Sequence, residues 1–142
     1  MGWIDDHFRM DNQESNQGAD FTTAARQRWR RLGEELKVDV AEFNARSGVA
    51  GVSQPMADQF LVTNAHTGVQ LIITADFDAR TVRYDFDQTG DKSAGTPEGG
   101  MLSMRQSQRG EVEFYSADER LTSEETRKIL LEPVLFPPEM AA

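Results

Sequence analysis

Apolar residues recur every three or four positions in the stretch that begins at Asp20. This spacing places them on one face of an α-helix, and Ser47-Gly48 supplies a stop signal at its end. A helix of about 25 residues is roughly 37 Å long, so it either breaks near Gly33 or extends beyond a sheet of ordinary strands. The apolar face consists of Phe21, Ala25, Trp29, Leu32, Leu36, Val40 and Phe43.

Apolar and polar residues alternate in the middle of the chain, which predicts β-strands. Short polar turns separate these segments, so neighbouring strands are expected to pair in antiparallel fashion. The segment 47–58 is predicted to be a loop that connects the helix to the first strand. The predicted strands cover residues 60–62, 69–75, 82–86, 101–107 and 111–116.

Thr122 and Glu125 have the spacing of a capping box, in which each side chain bonds the backbone N–H of the other residue. They predict a short helix that runs to about Glu132 and ends before Pro133. Together, these elements define an α+β fold in two layers. One long N-terminal helix packs on an antiparallel sheet of about five strands, a meander plus a hairpin, and a short C-terminal helix follows.

Composition divides the 142 residues into three parts. Residues 1–19 form a polar segment that is predicted to be flexible, because it has too few apolar side chains to offset the entropy of ordering. Residues 20–136 form a single α+β domain, and residues 137–142 form a short tail. The charge is uneven as well, since residues 1–20 contain five acids and one base.

The composition of the whole chain narrows the classes of function. The net charge of −9 argues against nucleic-acid binding, which depends on neutralising phosphates. No apolar run approaches the length of about 18 residues that a membrane span requires. The start of the chain lacks the basic and apolar regions of a signal peptide, and cysteine is absent. We therefore expect a cytoplasmic protein without membrane association, disulfides or thiolate metal sites.

Catalytic residues are not predicted from the sequence. A hydrolase needs a nucleophile beside a positioned base, and neither His7 nor His66 lies in such a motif. The basic stretch 26–31 contains Trp29, and an aromatic residue among arginines is able to stack on bases. Trp29 belongs to the apolar face of the predicted helix, however, so we expect it to point inward beside a solvated, partly ion-paired face. The sequence favours a protein that is not an enzyme.

One polar segment resembles the start of a calcium-binding loop, because oxygen-bearing side chains occupy alternate positions around Gly90. The residue at the twelfth position is Thr96, whereas such loops carry a bidentate glutamate there. The favoured interpretation is a solvent-facing strand end and loop without a cofactor, and calcium binding is the alternative. The candidate ligands are Asp85, Asp87, Thr89 and Asp91.

Apolar residues also fall on the face of the predicted sheet that the long helix does not cover. Leu61, Ile72 and Tyr115 alternate with the core positions of their strands. Either Met101 or Leu102 joins them, and together they form a candidate interaction patch. The C-terminal segment either folds back over this face or leaves it free for self-association or a partner. The apolar residues of that segment include Leu130, Leu135 and Phe136.

These observations lead to two hypotheses of different classes. The first is a small acidic interaction module that is not an enzyme and that associates with itself, as a homodimer, or with another protein. The second is a small-ligand-binding protein or enzyme with a pocket between the helix and the sheet, where the loop 87–100 acts as a lid.

Overall fold

The computed structural model describes residues 3–88 and 96–136, with side chains described from residue 21 onward. The described residues form two helices and a seven-stranded sheet, which confirms the α+β class. The elements in chain order are α1 (Trp3–Ala45), β1 (Ala50–Met56), β2 (Gln59–Asn64), β3 (Val69–Asp76), β4 (Thr81–Gln88), β5 (Gly100–Gln106), β6 (Val112–Ser116), β7 (Glu119–Arg120) and α2 (Ser123–Leu135).

Every strand pairs with its neighbours in sequence, so the sheet is one continuous antiparallel meander in the order β1 to β7. The sequence predicts about five strands, and the two additional strands are β1 and β7 at the edges. The loop predicted for residues 47–58 is wrong over β1. This edge strand is mostly exposed and contains Pro55, which an edge tolerates because no outer neighbour requires its N–H.

The apolar face of α1 packs on one face of the sheet, which we call the inner face. Phe43 is half-buried, and the other six residues of the predicted helical face are buried. Met101 is 57% exposed and Leu102 is 1% exposed, so Met101 is the one that points to the opposite, outer face. The sheet contributes these buried residues to the inner face: Phe60, Val62, Leu71, Ile73, Val82, Phe86, Leu102, Met104, Val112 and Phe114.

Helix α1 continues through Gly33 without a break. A Cβ atom at Gly33 would lie only 2.7 Å from Cε1 of Phe60, so the absence of a side chain lets the helix approach the sheet closely. Of the two predicted alternatives, the extension beyond the sheet is therefore observed. The 43-residue helix is about 64 Å long, whereas strands of eight residues reach about 26 Å.

The helix start predicted at Asp20 is wrong, because α1 begins at Trp3. Residues 3–19 lack the apolar repeat on which the prediction relied, yet a nucleated helix extends through polar residues at little cost. The division between residues 1–19 and 20–136 stays a prediction, and the tail predicted for residues 137–142 lies outside the described residues.

Helix α2 begins with the predicted capping box: the Thr122 side chain accepts from the Glu125 N–H, and the Glu125 carboxylate accepts from the Thr122 N–H. The predicted end before Pro133 is wrong, since the helix runs through this residue to Leu135. Pro133 lacks the N–H that would bond the Ile129 carbonyl, yet the helix continues past it, and the Phe136 N–H donates to the Glu132 carbonyl at 2.8 Å.

Helix α2 packs beside α1 on the inner face. The buried Asn64 amide at the end of β2 donates to the Val134 carbonyl at 3.0 Å, and Leu130 and Leu135 are buried in the common core. The prediction that the C-terminal segment folds back over the outer face is therefore wrong. An amphipathic helix fits either side of a sheet, and the sequence pattern alone does not select the side.

The close approach of α1 to the sheet at Gly33 predicts that a larger side chain at this position lowers the stability of the protein. Gly33→Val is expected to lower the free energy of unfolding by about 2–3 kcal/mol, because the new side chain overpacks the contact with Phe60. Gly51→Val is the matched control, since a Cβ at Gly51 meets no atom within 4 Å, and its effect should stay within about 0.5 kcal/mol. Urea unfolding of dilute samples measures both, and equal losses would contradict the close approach.

Candidate functional site

The outer face of the sheet is divided into a half that is almost free of charge and a charged half. Strand alternation and register place ten residues of β1, β2 and β3 on this face, and nine of them are uncharged, although 27% of the chain is charged. The exception is Asp76, the exposed last residue of β3. We call the nine uncharged residues the charge-free patch: Gly51, Ser53, Met56, Gln59, Leu61, Thr63, Gln70, Ile72 and Thr74.

Two of the predicted interaction residues form the centre of this patch. Leu61 and Ile72 lie directly opposite each other on β2 and β3, and both are half-buried. Directly opposed side chains are in contact range, so the pair forms one continuous apolar spot. Both helices occupy the inner face, so within the described part of the chain neither helix packs over this spot.

The other predicted interaction residues lie elsewhere. Tyr115 is on β6, three strands from Ile72, and the Arg105 guanidinium lies 4.6 Å from its ring centroid. Leu130 and Leu135 are buried in the core. Phe136 follows α2 and is 66% exposed, with its ring 5.4 Å from that of Phe43. Leu61 and Ile72 are thus the predicted residues that the fold brings together.

The charged half of the outer face begins at β4. Its charged side chains pair with one another: Arg83 with Asp85 at 3.1 Å, Arg105 with Asp118 at 3.2 Å, and Arg120 with Glu113 at 3.7 Å. These exposed pairs contribute little to stability, but they give the charge-free patch a polar border on one side. A neutral centre with a charged border is the arrangement found in protein–protein interfaces.

The candidate calcium ligands are partly engaged with protein groups. Asp85 pairs with Arg83, and the Asp87 carboxylate accepts from the Gln88 N–H at 2.8 Å. Thr89 and Asp91 lie outside the described residues. Among the residues that are described, no group of three or more His, Cys, Asp or Glu side chains is arranged to hold a metal ion. The prediction of no cofactor and the alternative of calcium binding both stay untested.

An interhelix ion cluster joins α1 to α2. Glu35 accepts from Arg28 at 2.8 Å and from Arg127 at 2.6 Å, and Arg127 also donates to Asp39 at 2.7 Å. Ser123 donates its hydroxyl hydrogen to the Glu35 carboxylate. Arg28 and Glu35 lie on the same face of α1, two turns apart, whereas Ser123 and Arg127 lie too far along the chain to leave a local signal.

The pKa shifts within this cluster indicate an attachment and not a proton-transfer site. Burial alone would raise the pKa of Glu35, but the hydrogen bond from Ser123 and the positive charge of Arg28 outweigh burial, so this pKa is lowered. Burial is the main cause that lowers the pKa of Arg28, although Glu35 opposes it. A carboxylate with a lowered pKa is a weaker base, and both of its oxygens are already engaged: Oε1 with Arg28 of α1, and Oε2 with Ser123 and Arg127 of α2.

A groove with a volume of about 640 Å³ lies between the C-terminal part of α1 and α2. Phe43, Leu131, Leu135 and Phe136 supply its apolar surface. Charged residues at the rim of this groove form ion pairs with one another: Arg46 with Glu42 and Lys128 with Glu132, each at 3.8 Å. The exposed Phe136 therefore belongs to a helix-side groove and not to the outer face.

Comparison of the chain with protein-family models, with curated proteins and with solved structures found no match. Within the described ranges, no helix combines the length and the apolar character needed to cross a bilayer.

Trp29 is 3% exposed and donates its indole N–H to the Ala57 carbonyl at 2.8 Å, so its ring is not accessible for stacking on a base.

The interhelix ion cluster makes stability depend on pH. Glu35→Gln is expected to lower the free energy of unfolding at neutral pH by about 1–3 kcal/mol, because two guanidinium groups lose their shared anion. The lowered pKa of Glu35 means that its contribution is complete above its unfolded-state pKa and is lost as the pH falls through the folded-state pKa. The difference between wild type and variant should therefore shrink as the pH falls below the ordinary pKa of a glutamate, about 4.3.

Glu34→Gln is the matched control for this prediction, because Glu34 is the adjacent residue, is exposed, and makes no ion pair with the residues described. Its effect should stay within about 0.5 kcal/mol and should not vary with pH beyond that range. Chemical unfolding at a series of pH values measures both variants. A Glu35→Gln deficit that is independent of pH would contradict the role of the ionised carboxylate.

Proposed function

We propose that this protein is a small acidic interaction module that associates with itself through the charge-free patch on the outer face of its sheet. The observation that carries the proposal is the Leu61–Ile72 pair, set among uncharged residues on a face that neither helix covers. Depletion of charged residues marks the centre of protein–protein interfaces. An isolated apolar residue on a surface would not support this inference, but a directly opposed pair within an uncharged area does.

A second copy of the chain is the partner that suits this patch. A partner selected by its charge would find no complementary group on the nine residues of the patch. Hydroxyl and amide side chains such as Thr63, Gln70 and Thr74 both donate and accept hydrogen bonds, so the patch is complementary to itself. Each chain carries a net charge of −9, and contact through an uncharged area keeps the like charges of two copies apart.

The size of the face favours a weak dimer. In projection, the charge-free patch covers about 300 Å² and the whole outer face about 650 Å², from ordinary strand dimensions. A stable complex of standard size buries about 800 Å² on each partner. We therefore expect self-association that becomes detectable at high micromolar concentration.

The packing on the other side of the sheet favours this class over a ligand pocket between helix and sheet. Leu32 and Leu36 of α1 and Leu71 and Ile73 of β3 are each 0% exposed, so core side chains fill the space between the helix and this strand. A binding cavity at that position would require displacing them, which costs several kcal/mol.

Sedimentation velocity across the micromolar concentration range tests the proposal. Wild type should shift toward a dimer as concentration rises, and Leu61→Asp should weaken the association at least about tenfold, because a charge would be buried against its symmetry mate. Ser103→Asp is the matched control: it adds the same charge at a half-buried position of β5 on the same face, but outside the patch and opposite the uncharged Thr81 and Tyr115. This variant should dimerise like wild type to within about threefold.

Leu61→Gln tests whether misfolding of Leu61→Asp explains its weaker association, since a neutral polar residue suits a half-exposed strand position. The Leu61→Gln variant should also associate more weakly than wild type, and its circular dichroism spectrum should be unchanged. A wild-type chain that stays monomeric throughout the concentration range would refute self-association. Equal weakening by Leu61→Asp and Ser103→Asp would instead show that the added charge, and not the patch, determines the result.

A further inference from the structure

An arginine-lined groove runs beside α1 at the β6–β7 edge of the sheet and has a volume of about 590 Å³. Three parts of the chain form it: the exposed side of α1, β6 with the turn before it, and the connection from β7 to α2. The charged residues of its lining are Arg28, Arg31, Arg109, Glu111, Glu113 and Arg120.

The lining of this groove is positively charged, although the whole chain is acidic. It contains four arginines and two glutamates, in a protein whose net charge is −9. Arg28 and Arg120 are paired with Glu35 and Glu113. The side chains of Arg31 and Arg109 are exposed and make no ion pair with any residue that the structure describes. Two guanidinium groups are thus available to a bound anion.

Arg28 lies in the groove, close to two further arginines, Arg31 and Arg127. Its side chain is 13% exposed, and its guanidinium lies 4.9 Å from the ring centroid of Phe114. After burial and the opposing effect of Glu35, repulsion from Arg31 and Arg127 contributes to the lowered pKa of Arg28. An added anion in the groove would relieve this repulsion.

We propose that the groove binds an acidic peptide segment of another protein, whose carboxylates pair with Arg31 and Arg109. Guanidinium groups bind carboxylates through two parallel hydrogen bonds, which single cations on lysine do not provide.

A peptide segment fits this groove better than a small anion. The arginines at its rim are exposed, so the groove is open to water and gives a small anion few contacts. A peptide segment brings several carboxylates to the groove. Once the first carboxylate is bound, the others are held at a high effective concentration near the second arginine, which strengthens binding. This site lies beside α1, away from the charge-free patch, so it does not depend on self-association.

Fluorescence anisotropy with a labelled hexaglutamate peptide tests the proposal on the full chain. The peptide should bind in low-salt buffer and bind more weakly at physiological salt, because ions screen the arginines. A hexaglutamine peptide should not bind, and citrate should compete only at concentrations at least about tenfold higher than unlabelled hexaglutamate.

Two substitutions at adjacent positions of α1 give the matched comparison. Arg31→Glu should weaken hexaglutamate binding by about tenfold or more, since it reverses a charge in the groove. Arg30→Glu makes the same change in net charge at an exposed position that faces away from this groove, and it should weaken binding by less than about threefold. Arg109→Gln, in an exposed turn, removes the other unpaired cation of the groove and is an independent test of the same site.

Three outcomes would overturn the proposal. Failure of hexaglutamate to bind wild type at low salt would exclude the site. Equal weakening by Arg30→Glu and Arg31→Glu would show non-specific attraction to the basic part of α1. Competition by citrate as effective as that by unlabelled hexaglutamate would identify a small-anion site.

Discussion

The contact between α1 and the inner face of the sheet is the constraint on which the rest of the structure depends. It is closest at Gly33, where the Phe60 ring lies against the helix and stacks on Trp29 with ring centroids 4.4 Å apart. Helix α2 joins this same face, so the buried residues form one core on one side of the sheet. One-sided burial therefore sets the fold, and it also leaves the outer face without a protein cover among the described residues.

The parts of the fold that could be predicted are those where burial repeats with a period. The apolar positions of α1 from residue 21 onward and the alternating strands from β2 to β6 carry such a signal, because one side of each element is buried. Edge strand β1 is mostly exposed, and the first turns of α1 are polar, so neither has a period to detect. Pro133 predicts a helix end because it lacks the N–H that a helix uses, whereas the helix continues to Val134 and Leu135, which are buried in the core.

The candidate site could be predicted only in part. Alternation identifies Leu61 and Ile72 as outer-face residues, because each step along a strand reverses the face. It does not reveal which strands are adjacent, and the pairing order separates Tyr115 from them. The face of the sheet on which α2 packs depends on contacts between distant residues. Arg127 bonds Asp39, 88 positions away, and Glu35, 92 positions away, and local spacing in the sequence gives no sign of such pairs.

The meander order of the sheet also has a consequence for how the chain reaches its native state. Each strand needs only the next one along the chain, so the sheet grows by closing short loops, and each closure costs little chain entropy. The contacts between α1 and α2 span most of the chain and must form across the largest separation. We therefore expect the hairpins to assemble early and the joining of the two helices to complete the fold, which would make the interhelix contacts determinants of the unfolding rate more than of the folding rate.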